Sequence, residues 1–118
     1  MTAPESHFEP KPPEAFDFED ILYAKSDGVA RVTINRPEVY NAYRTPTLRE
    51  LSSAFEDAAY DDAVAVVVFT GAGEKAFCTG GDVKEYASTY TRRPRDYWKW
   101  MGLFIDTVDR LRHMGKPT

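Results

Sequence analysis

Residues Ala63 to Thr70 read Ala-Val-Ala-Val-Val-Val-Phe-Thr, an apolar run on both faces and rich in β-branched side chains. That pattern predicts a central parallel strand covered by helices on both sides. The segment before it, Pro46 to Ala59, places Leu48, Leu51, Phe55 and Ala58 on one stripe and predicts an amphipathic helix. Thr47 and Glu50 are spaced as a capping box for its first turn. Further upstream, Phe18 to Ala24 and Val29 to Ile34 read as two strands joined through Ser26-Asp27-Gly28, a hairpin signal. In the second strand Ala30, Val32 and Ile34 alternate with Arg31, Thr33 and Asn35, so one face is buried and the other polar. A hairpin, a helix and a buried strand in this order predict an α/β layered fold.

The apolar strand runs into Gly71-Ala72-Gly73 and then Ala76-Phe77-Cys78-Thr79-Gly80-Gly81-Asp82. Paired glycines at the mouth of a helix leave backbone N–H groups reachable in a cleft. Such groups hold an anion, or a carbonyl oxygen that becomes one during a reaction. The bland alternative is a tight connection that needs positive φ, with Asp82 as an ordinary N-cap. Gly71 to Ala76 also matches G-x-G-x-x-A, formally the dinucleotide fingerprint. That fingerprint needs a helix to open inside the motif, whereas Phe77 to Thr79 read as extended and Gly80-Gly81 breaks a helix. No GKS or GKT follows, which excludes a Walker loop.

Beyond Asp82 a short helical stretch runs to about Tyr90, and Pro94 opens a long helix to about Met114. Tyr97, Trp100, Met101, Phe104, Val108 and Leu111 form its apolar stripe. The chain has 118 residues and a formal net charge of −4, with no basic surface of the kind that nucleic-acid binding needs. A lone cysteine, Cys78, excludes an internal disulfide and a cysteine-rich metal site. It is expected to pack inward as a small hydrophobe, and neither His7 nor His113 is assigned any chemistry. The first 16 residues lack an apolar run, so neither a secretory signal nor a membrane span is read there, and a cytoplasmic location is expected. They form a Pro/Glu-rich, flexible arm (residues 1–16), or one that wraps a neighbouring subunit, ahead of a domain over 17–118.

Ile34-Asn35-Arg36-Pro37, Asn41-Ala42, the strand to Thr70, Gly71-Ala72-Gly73 and Lys75 to Asp82 together resemble the N-terminal half of the crotonase (enoyl-CoA hydratase/isomerase) superfamily. Asn41 to Arg44 and Cys78 to Asp82 look like the branch handling ring-bearing acyl-CoAs. Lys84 to Ala87 and the aromatic helix are most similar to the oxocyclohexene-carbonyl-CoA ring hydrolases, with naphthoate synthase also in that branch.

The resemblance implies a partial spiral of ββα units, with the chain ending before the fold closes. It implies an enzyme that polarises an acyl-CoA thioester and stabilises the enolate through two backbone N–H groups. Gly81 matches the first donor, while the second donor and most acids and bases are expected beyond Thr118. Ala42, Ala76, Thr79 and Gly80 match positions lining the coenzyme A channel. Asp82, which follows them at the helix mouth, is counted with them among the expected substrate- or coenzyme A-binding residues. Arg44 matches a position where a cation reaches the phosphates, or is simply a solvated arginine. Tyr86 or Tyr90 would place a phenol above the substrate ring, or pack as core or rim. No cofactor is implied, since coenzyme A arrives as part of the substrate, and no metal. Expected partners are an acyl-CoA and further copies in a homotrimer or hexamer, with no nucleic acid or membrane. The alternatives are a lyase of the dihydroxynaphthoyl-CoA synthase kind, a non-catalytic module derived from the fold, and a nucleotide-binding protein using Gly71 to Ala76.

Overall fold

The computed structural model describes residues 2–118. Its centre is a three-stranded sheet in the order β1-β2-β3, made of β1 (Ile21–Ser26), β2 (Val29–Ile34) and β3 (Val66–Gly71). Asp27 and Gly28 connect β1 to β2, both with positive φ, at 52° and 78°. A two-residue turn of that kind matches the twist of an antiparallel pair and fixes the register Ser26 opposite Val29. Helix α1 (Thr45–Tyr60) then carries the chain back, so that β3 lies parallel to β2 with Val29 opposite Val66.

The core sits between sheet and α1. Ile21, Ala30, Val32 and Ile34 point in from the hairpin, Leu51, Ala54, Phe55 and Ala58 from α1, Val64 from the approach to β3 and Val67 from β3 itself. Phe55 is 1% exposed and meets Phe69 edge-on at 5.2 Å. Burying one such ring contributes about 2–3 kcal/mol. Helix α3 (Pro94–Arg112) packs on α1, and a polar contact fixes their register. The buried Thr107 hydroxyl meets Ser52 Oγ at 2.8 Å and the Leu103 carbonyl at 2.8 Å.

Four expectations are corrected. The first strand begins at Ile21, not Phe18, because Phe18 and Phe16 stack on one another at 4.8 Å outside the ladder. The apolar run pairs from Val66 and not from Ala63, and among the described residues β3 is the last strand of the sheet. Val67 and Phe69 face the core, while Val66 on the opposite face remains 36% exposed. Glu50 is no capping-box partner: its carboxylate accepts from the Glu19 and Asp20 N–H groups and pins the entry to β1. At the N-cap, the Arg44 N–H donates to Thr47 Oγ1 at 3.1 Å. The helical stretch after Asp82 divides into one turn, α2 (Val83–Glu85), and a wider π-type turn over Tyr86–Tyr90.

The proline-rich N-terminal segment lies along α1. The Lys11 N–H donates to Asp57 Oδ1 at 2.7 Å, Phe8 meets Tyr60 edge-on at 5.3 Å, and Lys25 Nζ donates to the Lys11 carbonyl at 2.9 Å. Asp57 also accepts from the Tyr23 hydroxyl. Burial and that carboxylate raise the Tyr23 phenol well above its ordinary range. After α3 the chain returns to the sheet, and the Pro117 carbonyl accepts from the Val67 N–H at 3.0 Å. No helix among the described residues is long and apolar enough to cross a membrane.

Candidate functional site

Two turns meet beyond the ends of β2 and β3, and one side chain fastens them. Tyr40 and Asn41 follow each other with φ of 54° and 58°, a left-handed pair that asparagine tolerates better than most residues. Asn41 is 1% exposed. Its Nδ2 donates to the Ala72 and Ala76 carbonyls at 2.9 and 2.8 Å, and its Oδ1 accepts from the Arg36 N–H at 2.9 Å. Three of the side chain's four possible hydrogen bonds, both N–H donors among them, thus tie the Pro37–Tyr40 turn to the Gly71–Ala76 loop. No helix opens inside Gly71 to Ala76; the first helical turn after it starts at Val83. The loop therefore lacks the helix mouth that a dinucleotide site requires.

The segment then runs beside Tyr43 as an isolated parallel bridge to Gly81. The Tyr43 N–H donates to the Gly80 carbonyl at 2.9 Å, and the Asp82 N–H donates to the Tyr43 carbonyl at 2.8 Å. Both bonds come from the residues flanking Gly81. In an extended segment successive peptide groups alternate in direction, so the Gly81 N–H points away from Tyr43. Among the described residues it donates to no group. Gly80 has φ of 116°, which restricts that position to glycine. At Gly81 a Cβ would sit 3.3 Å from the Trp100 ring, so the indole occupies the space of a side chain there.

Charge flanks this backbone in an alternating chain. Arg44 meets Asp20 through Nε and Nη2, both at 2.7 Å, and Thr47 Oγ1 also donates to Asp20 at 2.6 Å. Arg36 lies 4.0 Å from the same carboxylate and donates from Nη2 to Asp82 Oδ2 at 3.0 Å. Asp82 Oδ1 caps α2 by accepting from the Lys84 N–H at 2.9 Å. The Arg44 hydrogen bond holds Asp20 below the ordinary carboxylate range against its burial. For Asp82 burial pushes upward, and the bonds from Arg36 and the α2 backbone outweigh it, so it too lies low. A depressed folded-state pKa gives stability that is present above the unfolded value of about 3.9 and lost as pH falls through the folded value. Melting temperature should therefore hold at neutral pH and fall below about pH 4. Asp20→Asn should lower it at pH 7, by about 1–3 kcal/mol of stability, and flatten the acid fall. Calorimetric scans at pH 7, 4 and 3 check this; an unchanged acid limb in the variant contradicts it.

Gly81, Asp82 and Tyr86 border one cavity of about 160 Å³, together with Tyr90, Tyr97 and Trp100. Tyr86 meets Tyr97 edge-on at 5.4 Å, and Trp100 lies between Tyr97 and Tyr43 at 5.7 and 5.9 Å. The Trp100 indole N–H is buried without an acceptor. Ala76 borders a second cavity of about 190 Å³ with Tyr40, Asn41 and Lys75. Thr79 is exposed and its hydroxyl donates to the Tyr40 carbonyl at 3.2 Å. Ala42 is buried and its carbonyl accepts from Arg36. Gly80, Gly81, Asp82 and Ala42 thus gather around Tyr43. Ala76 and Thr79 lie across the Tyr40–Asn41 turn, and Arg44 sits at the Asp20 pair. Sequence reasoning gave no role to Arg36, Asn41 or Tyr43. The polar residues Arg36 and Asn41 between two apolar elements were the available signal, and their partners lie more than thirty positions away at Ala72, Ala76 and Asp82.

The profile of the Enoyl-CoA hydratase/isomerase family matches residues 24–118. The chain is 42% identical over 88 residues to a 6-oxocyclohex-1-ene-1-carbonyl-CoA hydrolase of Syntrophus aciditrophicus, covering 75% of this chain and 23% of that protein. It is 44% identical over 82 residues to a hydrolase of the same name from Geobacter metallireducens, covering 70% of this chain and 22% of that protein. The chain thus spans under a quarter of the length of these curated relatives. A crystal structure of an enoyl-CoA hydratase/carnithine racemase from Magnetospirillum magneticum superposes with a TM-score of 0.78 at 31% identity, covering 86% of this chain and 38% of the other.

Proposed function

Because the chain belongs to the enoyl-CoA hydratase/isomerase family, we propose that it supplies the Gly81 half of an oxyanion hole for an acyl-CoA thioester. The observation carrying this reading is the Gly81 N–H, held between two hydrogen bonds to Tyr43 and itself without an acceptor among the described residues. A donor fixed before the reaction needs no reorganisation as charge develops on the carbonyl oxygen. One such donor is worth about 2.7–4 kcal/mol of transition-state stabilisation. A second donor and the groups that move protons belong to the same proposal and are assigned outside these residues.

The substrate proposed is a cyclic acyl-CoA, and the reaction a hydrolysis, in keeping with the names of the relatives above. The cavity beside Gly81 supports the ring. Its walls are the faces and edges of Tyr86, Tyr90, Tyr97 and Trp100, and its volume of about 160 Å³ suits one six-membered carbocycle. For the phosphates of coenzyme A, Lys75 and Lys84 form no ion pair among the described residues. Arg44 spends two of its three nitrogens on Asp20, which leaves Nη1 for a phosphate. Assembly as a homotrimer or hexamer rests on the family resemblance, and sedimentation checks it.

Calorimetry with 6-oxocyclohex-1-ene-1-carbonyl-CoA and infrared difference spectra of its ¹³C-labelled thioester test the proposal. Binding below millimolar concentration with the carbonyl band moved to lower frequency is expected. No binding at millimolar ligand, or a bound carbonyl at its free frequency, removes it.

A further inference from the structure

Gly80 and Gly81 form the least restrained backbone of the site, since neither carries a Cβ. A donor placed there is useful only if something outside the two glycines holds it. Tyr43 bonds to both flanking residues, but Tyr43 itself belongs to a single bridge and not to a ladder. Arg36 closes the arrangement. Its Nη1 donates to the Ala42 carbonyl at 2.5 Å, one residue before Tyr43, and its Nη2 to Asp82 Oδ2 at 3.0 Å, one residue after Gly81. The ring Arg36, Ala42, Tyr43, Asp82 therefore encloses the Gly81 peptide from both ends. The two ion-paired side chains are 12% and 11% exposed, so water does not compete freely for this pair. Arg36 is itself oriented, its N–H by Asn41 Oδ1 and its Nε by the Asp20 carboxylate at 4.0 Å.

Resting on the thioester reading above, we infer that Arg36 is the positioning residue for the Gly81 donor and acts on it through Asp82 and Ala42. The planar guanidinium spans the carbonyl and the carboxylate at once, and an ammonium reaches one of them. Arg36→Lys thus keeps the charge opposite Asp82 and releases Ala42. Asp82→Asn makes the complementary change: it retains an oxygen to cap α2 and removes the ion pair. Neither variant replaces Ala42, Ala76, Thr79 or Gly80, and Arg36→Lys frees only the Ala42 carbonyl.

The test uses the same labelled thioester, with coenzyme A lacking an acyl group as the second ligand and circular dichroism as the control for folding. Both variants are expected to bind either ligand within about threefold of the parent, while the bound carbonyl band returns toward its free frequency. In the enzyme carrying the complete family domain, kcat should fall about tenfold or more with KM within twofold, since misplacing a catalytic group costs rate before binding. A parental band shift in both folded variants overturns the inference, and so does equal loss of coenzyme A and thioester binding. If Arg36→Lys fails to fold, Asp82→Asn decides the matter alone. A parent protein with no band shift sinks the thioester reading itself, an outcome distinct from a shift that the variants preserve.

Discussion

Gly71→Ala is expected to cost about 3 kcal/mol or more, at the upper end of what overpacking does. A Cβ there would lie 2.1 Å from the Phe77 carbonyl oxygen, 2.8 Å from its carbon and 2.7 Å from Asn41 Nδ2. Two of those three atoms are backbone, so no rotamer change relieves the clash. The loop carrying Phe77 must withdraw, and with it Ala76, whose carbonyl is an Asn41 acceptor. A helical glycine supplies the control. A Cβ on Gly102 of α3 meets nothing within 4 Å, so Gly102→Ala should stabilise by up to about 1 kcal/mol through helix propensity. Urea unfolding of the two variants measures the contrast. A Gly71→Ala midpoint within error of the parent would show that the end of β3 and the Phe77 segment are not in close contact.

Asn41→Ala should cost about 3–5 kcal/mol, because three partly buried backbone groups lose their partner together and each unsatisfied group costs about 1–3 kcal/mol. They are the Ala72 and Ala76 carbonyls and the Arg36 N–H. Alanine also tolerates the φ of 58° poorly, which adds backbone strain. Asn41→Asp separates the polar role from the volume. It retains an acceptor for the Arg36 N–H but turns a carboxylate oxygen toward two carbonyl oxygens. Burial and those dipoles raise the new carboxyl's pKa, so it donates to a carbonyl only when protonated. For a raised folded-state pKa the stability is present below the unfolded value of about 3.9 and is lost as pH rises through the folded value. The variant should thus lose stability from acid toward neutral pH relative to the parent, opposite in sign to the Asp20 effect. Thermal melts across pH 3 to 7 read this slope, and a difference that does not change with pH would refute it.

Local pattern reached far in this chain because much of its structure is local. The alternation of Ala30, Val32 and Ile34 names the buried face of β2, and the stripe of Leu48, Leu51, Phe55 and Ala58 names that of α1. Asp27-Gly28 names the hairpin turn, since few other pairs accept two positive φ values. Among the described residues the apolar run into β3 is covered on one face. A strand apolar on both faces reports what each face can tolerate, and α1 lies on one of them. The spacing of Thr47 and Glu50 fits a cap equally well whether Glu50 turns back to its own helix or across to Asp20. Only the position of β1 decides between the two. At the candidate site the paired glycines were legible as reachable backbone. The free direction of the Gly81 N–H was not, because it depends on Tyr43 lying alongside, 38 positions earlier in the chain. The roles of Arg36 and Asn41 were hidden for the same reason.

Lys116 and Pro117 have a bearing on the order in which this unit closes. Lys116 donates from Nζ to the Ala58 and Asp61 carbonyls, at 2.8 and 2.5 Å, where α1 gives out. Those carbonyls belong to residues made more than fifty codons earlier. Through the interval the nascent chain carries a βαβ unit whose helix end stays hydrated, with the outer rim of β3 uncovered until the Pro117 carbonyl arrives at Val67. Closure of this unit therefore waits for Lys116 and Pro117 to reach it, and is not complete with the hairpin that begins it.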